Sequence, residues 1–304
     1  MNPRTWLNIA LGVAVVALAG VAYFQPGQKK PEPDPTLTTV SPTEVAEVTI
    51  RPGKGQAVEL ERSEGRWRLT VPRELPADKP AAQSLVDLLQ AKSRGTVEGA
   101  DGQAAKYGLK DPDWVIEAAG HTLALGGKHP IERQRFLRVG DTVHRVDSGA
   151  VRTIKTDWTA YVSRQLVPRD GKLTDIELPE VTLSKTDEGE WKGNGKATMK
   201  PSEAKAAVRT WRNRRAMGVD AASPPSSGKP TVTLHFANRD PIRYVIQREK
   251  NRVRLISPQA GVSYSILAGQ SQELLAPHKT GDSKDEKADG AGSSAGKGSA
   301  RSGS

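Results

Sequence analysis

Few residues in this chain have the types and spacing that catalysis or metal binding requires. The five histidines include no pair at the i, i+4 spacing of a helical metal site, and cysteine is absent. The lack of cysteine excludes thiol catalysis and Cys-ligated zinc. Partners for a Ser/His/Asp triad cannot be chosen from the scattered candidates. The sequence therefore predicts no catalytic, cofactor-binding or metal-binding residue, and we expect a protein that is not an enzyme.

Three short motifs resemble chemical sites but are better explained as structure. Glu59 with Glu61 and Asp111 with Asp113 are paired carboxylates. The first pair alternates with apolar residues along a predicted strand and faces solvent, and a proline makes the second pair typical of a turn. Gly126-Gly127-Lys128 follows a strand, as phosphate-binding loops do, but lacks the further glycine and the following Ser or Thr. We predict a hairpin turn at these glycines.

The densest group of cations is a basic cluster near residue 210. Its members are Lys205, Arg209, Arg212, Arg214 and Arg215. Helical spacing places the first three on one face of a helix, opposite an apolar stripe. Such a face can contact lipid phosphates or an acidic partner, or it can be an ordinary solvated surface. Nucleic acid is not expected, because no aromatic residues alternate with the arginines and the net charge of +10 is spread thinly over the chain.

One stretch, Trp6–Phe24, is uncharged and begins and ends with aromatic residues. Such a helix is about 28 Å long, close to the roughly 30 Å hydrocarbon core of a bilayer. We predict a single membrane anchor, with a short head inside the cell and the rest of the chain in the periplasm. The predicted anchor residues are Trp6, Leu7, Ile9, Leu11, Val13, Val15, Val16, Leu18, Val21, Tyr23 and Phe24.

A cleaved signal peptide is the alternative for the same stretch. Ala17-Leu18-Ala19 fits a small-x-small cleavage pattern, and the preceding apolar residues would serve as the hydrophobic region. The apolar run continues beyond that site to Phe24, which favours a retained anchor in the bacterial inner membrane.

Composition and periodicity divide the remaining chain. The predicted parts are an anchor (1–25), a proline-rich stalk (26–42), two α+β modules (43–168 and 169–278) and a disordered tail (279–304). In each module, alternating apolar residues predict strands with one buried face, and an apolar stripe at helical spacing predicts a covering helix. We therefore predict an α+β fold with two antiparallel sheets covered by helices.

The second module repeats the pattern of the first. Trp67 corresponds to Trp191, since each follows a Glu-Gly-x turn, and His144 corresponds to Tyr264. Leu137 matches Val253 at a similar separation. Such steady offsets favour an internal duplication. The strand period of two predicts that both indoles point into the core.

The motif Tyr107-Gly108-Leu109-Lys110-Asp111-Pro112 resembles the bacterial DUF4340 family. The strands at 123–127, 136–139 and 143–147 add to the resemblance, which covers Val45–Pro168 well and the rest in outline. It implies single-pass envelope proteins of unknown function, some of them associated with ABC-type export systems, and it supplies no catalytic residue.

The missing catalytic residues and the stalk, with the family resemblance, predict a membrane-anchored accessory or scaffold protein without catalytic activity of its own; the assignment to an ABC-type transport system is what the resemblance implies. Its expected partners are the inner membrane and a membrane protein such as an ABC permease. One alternative is an envelope hydrolase with a site between the modules. Another is a binder of anionic lipid or glycan through Arg209–Arg215.

Overall fold

The structure is a computed structural model in which described residues fall into five ranges: 3–24, 35–98, 102–196, 198–225 and 228–277. The chain forms two compact units, one ending at Pro35 and the other beginning at Thr36. The predicted tail and most of the predicted stalk lie outside the described residues. The end of that stalk belongs to the second unit, because Leu37 and Thr38 hydrogen-bond to the carbonyls of Ala91 and Leu89.

The first unit contains helix α1, Pro3–Phe24. Large apolar side chains are exposed along it, namely those of Trp6, Leu7, Leu11, Val13, Val15, Val16 and Leu18. The side chains of Ile9, Val21, Tyr23 and Phe24 lie outside the described residues. Within the described part of the chain, no helix is long and apolar enough to cross a membrane.

In its described residues, the first module of the second unit is an antiparallel sheet of eight strands with two α-helices and the short 3-10 helix Trp158–Tyr161. The strands are β1 (Glu47–Pro52), β2 (Val58–Ser63), β3 (Arg66–Val71), β4 (Leu75–Pro76), β5 (Trp114–Ala118), β6 (His121–Lys128), β7 (Gln134–Val139) and β8 (Thr142–Asp147). Their spatial order is β4-β3-β2-β1-β5-β6-β7-β8. The α-helices are α2 (Lys79–Leu89), between β4 and β5, and α3 (Ser148–Arg152), after β8.

The second module is also an antiparallel sheet of eight strands with two helices. The strands are β9 (Leu173–Glu177), β10 (Val181–Lys185), β11 (Trp191–Gly195), β12 (Gly218–Ala221), β13 (Thr231–Phe236), β14 (Ile242–Arg248), β15 (Arg252–Ser257) and β16 (Val262–Leu267). Their spatial order is β11-β10-β9-β13-β14-β15-β16-β12. The helices are α4 (Pro201–Asn213) and α5 (Ala268–Leu275). The predicted α+β class with two antiparallel sheets is confirmed.

Local sequence explains where the two longer covering helices begin and which faces they bury. Asp78 is extended and its side chain accepts from the Ala81 amide at 3.3 Å, so it caps α2. At the start of α4, the Glu203 carboxylate accepts from the Lys200 amide at 2.9 Å. Each helix buries an apolar face, and the Trp211 indole of α4 is fully buried.

The two modules share one order of connections. In each, three strands form a meander, a helix follows, and four more strands begin beside the first strand of the meander: β5 pairs with β1, and β13 pairs with β9. The segment 94–97 pairs with β8 through backbone hydrogen bonds, as β12 pairs with β16. This common arrangement is compatible with an internal repeat.

Strand register tests the residue correspondences one by one. Trp67 and Trp191 both stand in the third strand of a meander, opposite Arg62 and Lys185. His144 pairs with Leu137, and Tyr264 pairs with Leu255. Counted from the hairpin ends, where Val139 pairs with Thr142 and Ser257 pairs with Val262, the register is compatible with His144 matching Tyr264 and aligns Leu137 with Leu255. The match of Leu137 with Val253 was shifted by two residues, which keeps the same face of the strand.

Candidate functional site

The segment 161–166 connects the two modules and hydrogen-bonds to both. The Ser163 amide donates to the Pro76 carbonyl of the first module at 2.8 Å. At the next residue of the segment, the Ala216 amide of the second module donates to the Arg164 carbonyl at 2.8 Å. One hydrophobic core cluster also includes residues of both sheets. The modules are thus held together by backbone pairing as well as by apolar packing.

A buried carboxylate lies at this junction. The Asp78 side chain is 5 % exposed, and its Oδ2 accepts from Arg215 Nη2 at 2.8 Å. Arg164 Nε lies 3.6 Å from the same oxygen. The other carboxylate oxygen caps α2. A single side chain of the first module therefore fixes a helix start and binds two arginines, one from the connecting segment and one from the second module.

Two buried tyrosines of the second module face the junction. The Tyr244 hydroxyl donates to the Leu166 carbonyl at 2.7 Å, and its ring meets that of Tyr264 edge-on at 5.7 Å between centroids. Burial raises the pKa of Tyr264 to about 12. Burial, with a smaller contribution from Tyr264, raises the pKa of Tyr244 well above its ordinary value. Both hydroxyls are therefore neutral at physiological pH.

Between the modules lies a groove of about 1220 Å³, which we call the inter-module groove. It is lined by the β2–β3 turn and the start of α2 on one side, and by the connecting segment and the β13–β14 turn on the other. Most of its charged groups are paired: Arg66 with Glu64 and Asp170, Arg68 with Glu74, Arg239 with Asp170, and Arg215 with Asp78. Among the described residues, Lys79, Arg169 and Asp240 in its lining have no ion-pair partner.

The groove presents hydrogen-bonding groups, and the aromatic residues in its lining, Trp67, Tyr244 and Tyr264, are buried. Four of its five carboxylates are bound to guanidinium groups, which suits recognition and orientation more than proton transfer. In the ranges that the structure describes, no group of three His, Asp or Glu side chains could hold a metal ion.

The five residues of the predicted basic cluster lie at different places in the fold. Lys205, Arg209 and Arg212 share the exposed face of α4, as predicted. Arg214 pairs instead with Glu273 at 3.0 Å, and Arg215 pairs with Asp78 at the junction. The three remaining cations line a second groove of about 800 Å³, to which the β10–β11 hairpin contributes Lys185 and Trp191. We call this second site the α4 groove.

Three of the four residues in the predicted carboxylate pairs are explained by their places in the fold. Glu59 and Glu61 alternate with buried residues of β2, as the sequence predicts. Asp113 accepts from Arg135 Nη2 at 2.5 Å and its amide donates to the Leu125 carbonyl, so it fastens the loop before β5.

The environment of His144 changes its titration. Its Nδ1 lies 3.0 Å from the Ser93 hydroxyl, and burial lowers its pKa from 6.5. Because the unfolded chain binds this proton more tightly, the His144 contribution to stability is complete above about pH 6.5 and is lost as the pH falls below it.

We therefore expect the His144 imidazole to titrate below pH 6.5 when followed by NMR through its ring protons. The free energy of unfolding should fall between pH 7 and pH 5.5 by less in a His144→Gln variant than in the parent chain. A His144 pKa above 6.5 would contradict this.

The Tyr107-Gly108-Leu109 motif packs against the glycine pair of β6. The Gly127 amide donates to the Tyr107 carbonyl at 2.7 Å, and a Cβ at Gly108 (φ +67°) would lie 2.7 Å from that amide nitrogen. A Cβ at Gly126 would clash with the Tyr107 carbonyl. Both glycines of the pair are inside strand β6, so the predicted hairpin turn at this point was wrong. Close backbone approach explains them instead.

This packing closes a second, small core on the outer face of the first sheet. Leu109 is buried there with Ala124, Phe136 and Val143. The Tyr107 ring meets the Phe136 ring edge-on at 4.9 Å. The motif therefore has a structural role, which is to pack the loop before β5 against strand β6.

Replacing Gly126 with alanine should lower the free energy of unfolding by about 1–3 kcal/mol, because the new methyl group would push the motif away from β6. Urea denaturation of the parent and the Gly126→Ala chains measures this change. Gly218→Ala is the matched control, since this glycine also lies in a strand, no atom lies within 4 Å of a Cβ there, and its φ is not positive. A stability loss at Gly126 no larger than at Gly218 would contradict the packing of the motif against β6.

A family model described as a domain of unknown function, DUF4340, matches residues 67–227. The chain belongs to this family. The match begins in β3 and ends beyond β12, so it extends well past the first module, where the sequence resemblance was clearest. It contains the Tyr107 motif, the connecting segment, Asp78 and Arg215. Comparisons with curated proteins and with solved structures give no match.

Proposed function

We propose that this DUF4340 protein is a membrane-anchored accessory or scaffold protein of an ABC-type transport system, without catalytic activity of its own. In this proposal α1 is a single-pass anchor in the inner membrane, the N-terminus is cytoplasmic and the second unit is periplasmic. The partner is a membrane protein such as an ABC permease, and the inter-module groove holds a segment of it.

The anchor assignment is supported by the uncharged stretch Trp6–Phe24 and by the exposed apolar side chains of α1. We expect an alkaline phosphatase fusion after Ser304 to be active and a green fluorescent protein fusion there to be dark. The opposite pattern would place the second unit in the cytoplasm. A mature N-terminus at Gly20 would instead identify the stretch as a cleaved signal peptide.

The observation that carries the scaffold proposal is the joined module pair. Segment 161–166 and the Asp78–Arg215 pair hold the two sheets at a fixed junction, so the groove between them exists before a partner arrives. A preformed site loses less conformational entropy on binding. Because most charged groups in the groove already have partners, a polar protein segment can enter without leaving many charges unpaired.

Affinity purification of the full chain from solubilised membranes tests the proposal. We expect a transport-system membrane protein to co-purify, and Lys79→Glu with Arg169→Glu to reduce its recovery, because both are unpaired cations in the groove. Arg152→Glu with Lys155→Glu is the matched control, since both cations are exposed and neither lines the groove.

Equal recovery with both double variants would contradict binding in the groove, and recovery of no membrane protein would contradict the scaffold role. The hydrolase alternative makes a different prediction. Under it, the single change Asp240→Asn should abolish the cellular phenotype while the partner still co-purifies, because Asp240 is the carboxylate without an ion pair among the described residues of the groove.

A further inference from the structure

The α4 groove is a separate concave surface of the second module. It lies between the outer face of α4 and the β10–β11 turn, with a volume of about 800 Å³. The opposite face of α4 is packed against the core through Trp211, so the helix is fixed and its exposed side chains project from a rigid element. The volume is within the range of ordinary small-ligand sites.

Cations outnumber carboxylates in this groove. Lys185, Lys205, Arg209 and Arg212 line it, and in the described ranges none of them has an ion-pair partner. Among the described residues that line it, Glu190 is the only carboxylate. The inter-module groove differs, because most of its arginines are bound to carboxylates of the same chain. The α4 groove therefore has unmatched positive charge that an anionic ligand would complement.

An aromatic ring stands among these cations. Trp191 is half-buried, whereas Trp67, its counterpart in the first module, is only 5 % exposed. An indole that is partly exposed beside arginine and lysine presents an apolar face and a polar N–H together. This combination is typical of side chains at the boundary between lipid headgroups and water.

We propose that the α4 groove binds the phosphate of an anionic phospholipid headgroup. Guanidinium groups bind phosphate oxygens in pairs, so Arg209 and Arg212 would hold the phosphate and Trp191 would lie against the glycerol backbone. The choice of a lipid source rests on the proposed function, because a membrane anchor on the same chain would tether the second unit to a membrane that contains such headgroups.

Native mass spectrometry of the full chain, released from neutral detergent micelles, tests the proposal. Phosphatidylglycerol, phosphatidylcholine and glycerol 3-phosphate are titrated separately. We expect phosphatidylglycerol to bind, and Arg209→Gln with Arg212→Gln to weaken that binding by about tenfold or more. Arg243→Gln with Arg248→Gln removes the same charge from exposed positions of β14 and should leave the Kd unchanged. Lipid held by α1 is common to all variants and cancels in the comparison.

Equal phosphatidylglycerol affinity in both double variants would overturn the proposal, as would equal binding of phosphatidylcholine. Glycerol 3-phosphate binding with the same Kd would identify a soluble phosphate ester as the ligand and overturn the lipid source. The substituted arginines are exposed, so an unchanged melting temperature checks that the fold is intact. Co-purification of a transport partner is independent of every one of these outcomes, so the proposed function can fail while this site stands.

Discussion

Replacing Trp67 with alanine should lower the free energy of unfolding by about 3–5 kcal/mol, while Trp191→Ala should lower it by only about 1–2 kcal/mol. The two residues hold equivalent positions in their meanders, but Trp67 is 5 % exposed and Trp191 is half-buried. The loss follows the apolar area that leaves the core, so the more buried indole has the larger effect.

Urea denaturation of the full chain in detergent measures both changes. Trp67→Phe and Trp191→Phe are the matched controls, because each keeps an aromatic ring at the same position and should lose less than the alanine variant. Equal losses for the two alanine variants would mean that Trp191 is as buried as Trp67, and would remove an exposed aromatic ring from the α4 groove.

The difference between the two tryptophans shows what a strand pattern can and cannot predict about the burial of a side chain. Alternation predicts correctly that each indole lies on the inner side of its strand, but the extent of burial depends on neighbours from elsewhere in the chain. On β3, Leu69 follows on the same face and is fully buried. On β11 the equivalent position is Gly193, where a Cβ would lie 2.9 Å from the Met199 Cβ. Met199 fills that space, and no local rule in the sequence predicts it.

The glycine pair of β6 shows a second limit of prediction from sequence. A Gly-Gly dipeptide between apolar strands is typical of a turn, and the same dipeptide also permits close backbone contact inside a strand. The two cases differ only in whether another segment approaches. Here Tyr107–Leu109 does so, from a loop that is distant along the chain.

The basic cluster shows which positions in the candidate sites can be predicted from sequence and which cannot. Helical period correctly places Lys205, Arg209 and Arg212 on one exposed face. The period says nothing about Arg214 and Arg215, which lie at the end of the helix and pair with carboxylates far away in sequence. Neither groove could be predicted, because each is formed by elements that meet only in the folded chain.

Replacing Asp78 with alanine should lower the free energy of unfolding by about 3 kcal/mol, because it removes a helix cap and a buried partner of two arginines together. Loss of the cap alone contributes about 1 kcal/mol. The remainder comes from Arg215 and Arg164, which then face each other without a carboxylate between them. Their side chains are 43 % and 45 % exposed, so water compensates part of the loss and keeps it below that of a fully buried pair.

Asp78→Asn separates the two contributions, since asparagine caps a helix as well as aspartate but carries no charge. We expect this variant to lose about 2 kcal/mol, the part due to the arginines. Asp157 is the matched control: it caps the short 3-10 helix Trp158–Tyr161, accepting from the Thr159 amide at 2.9 Å, with no ion pair in the described structure. Asp157→Ala should therefore lose only about 1 kcal/mol.

A double-mutant cycle with Arg215→Gln then measures the contact across the junction. If Asp78 and Arg215 join the modules, their stability changes should be non-additive by about 1 kcal/mol or more, because each substitution removes the same interaction. The junction also positions the inter-module groove, so Asp78→Asn should reduce recovery of the membrane partner while Asp157→Ala leaves it unchanged. Additive stability changes, together with full partner recovery in Asp78→Asn, would mean that Asp78 serves α2 alone and that segment 161–166 holds the modules by itself.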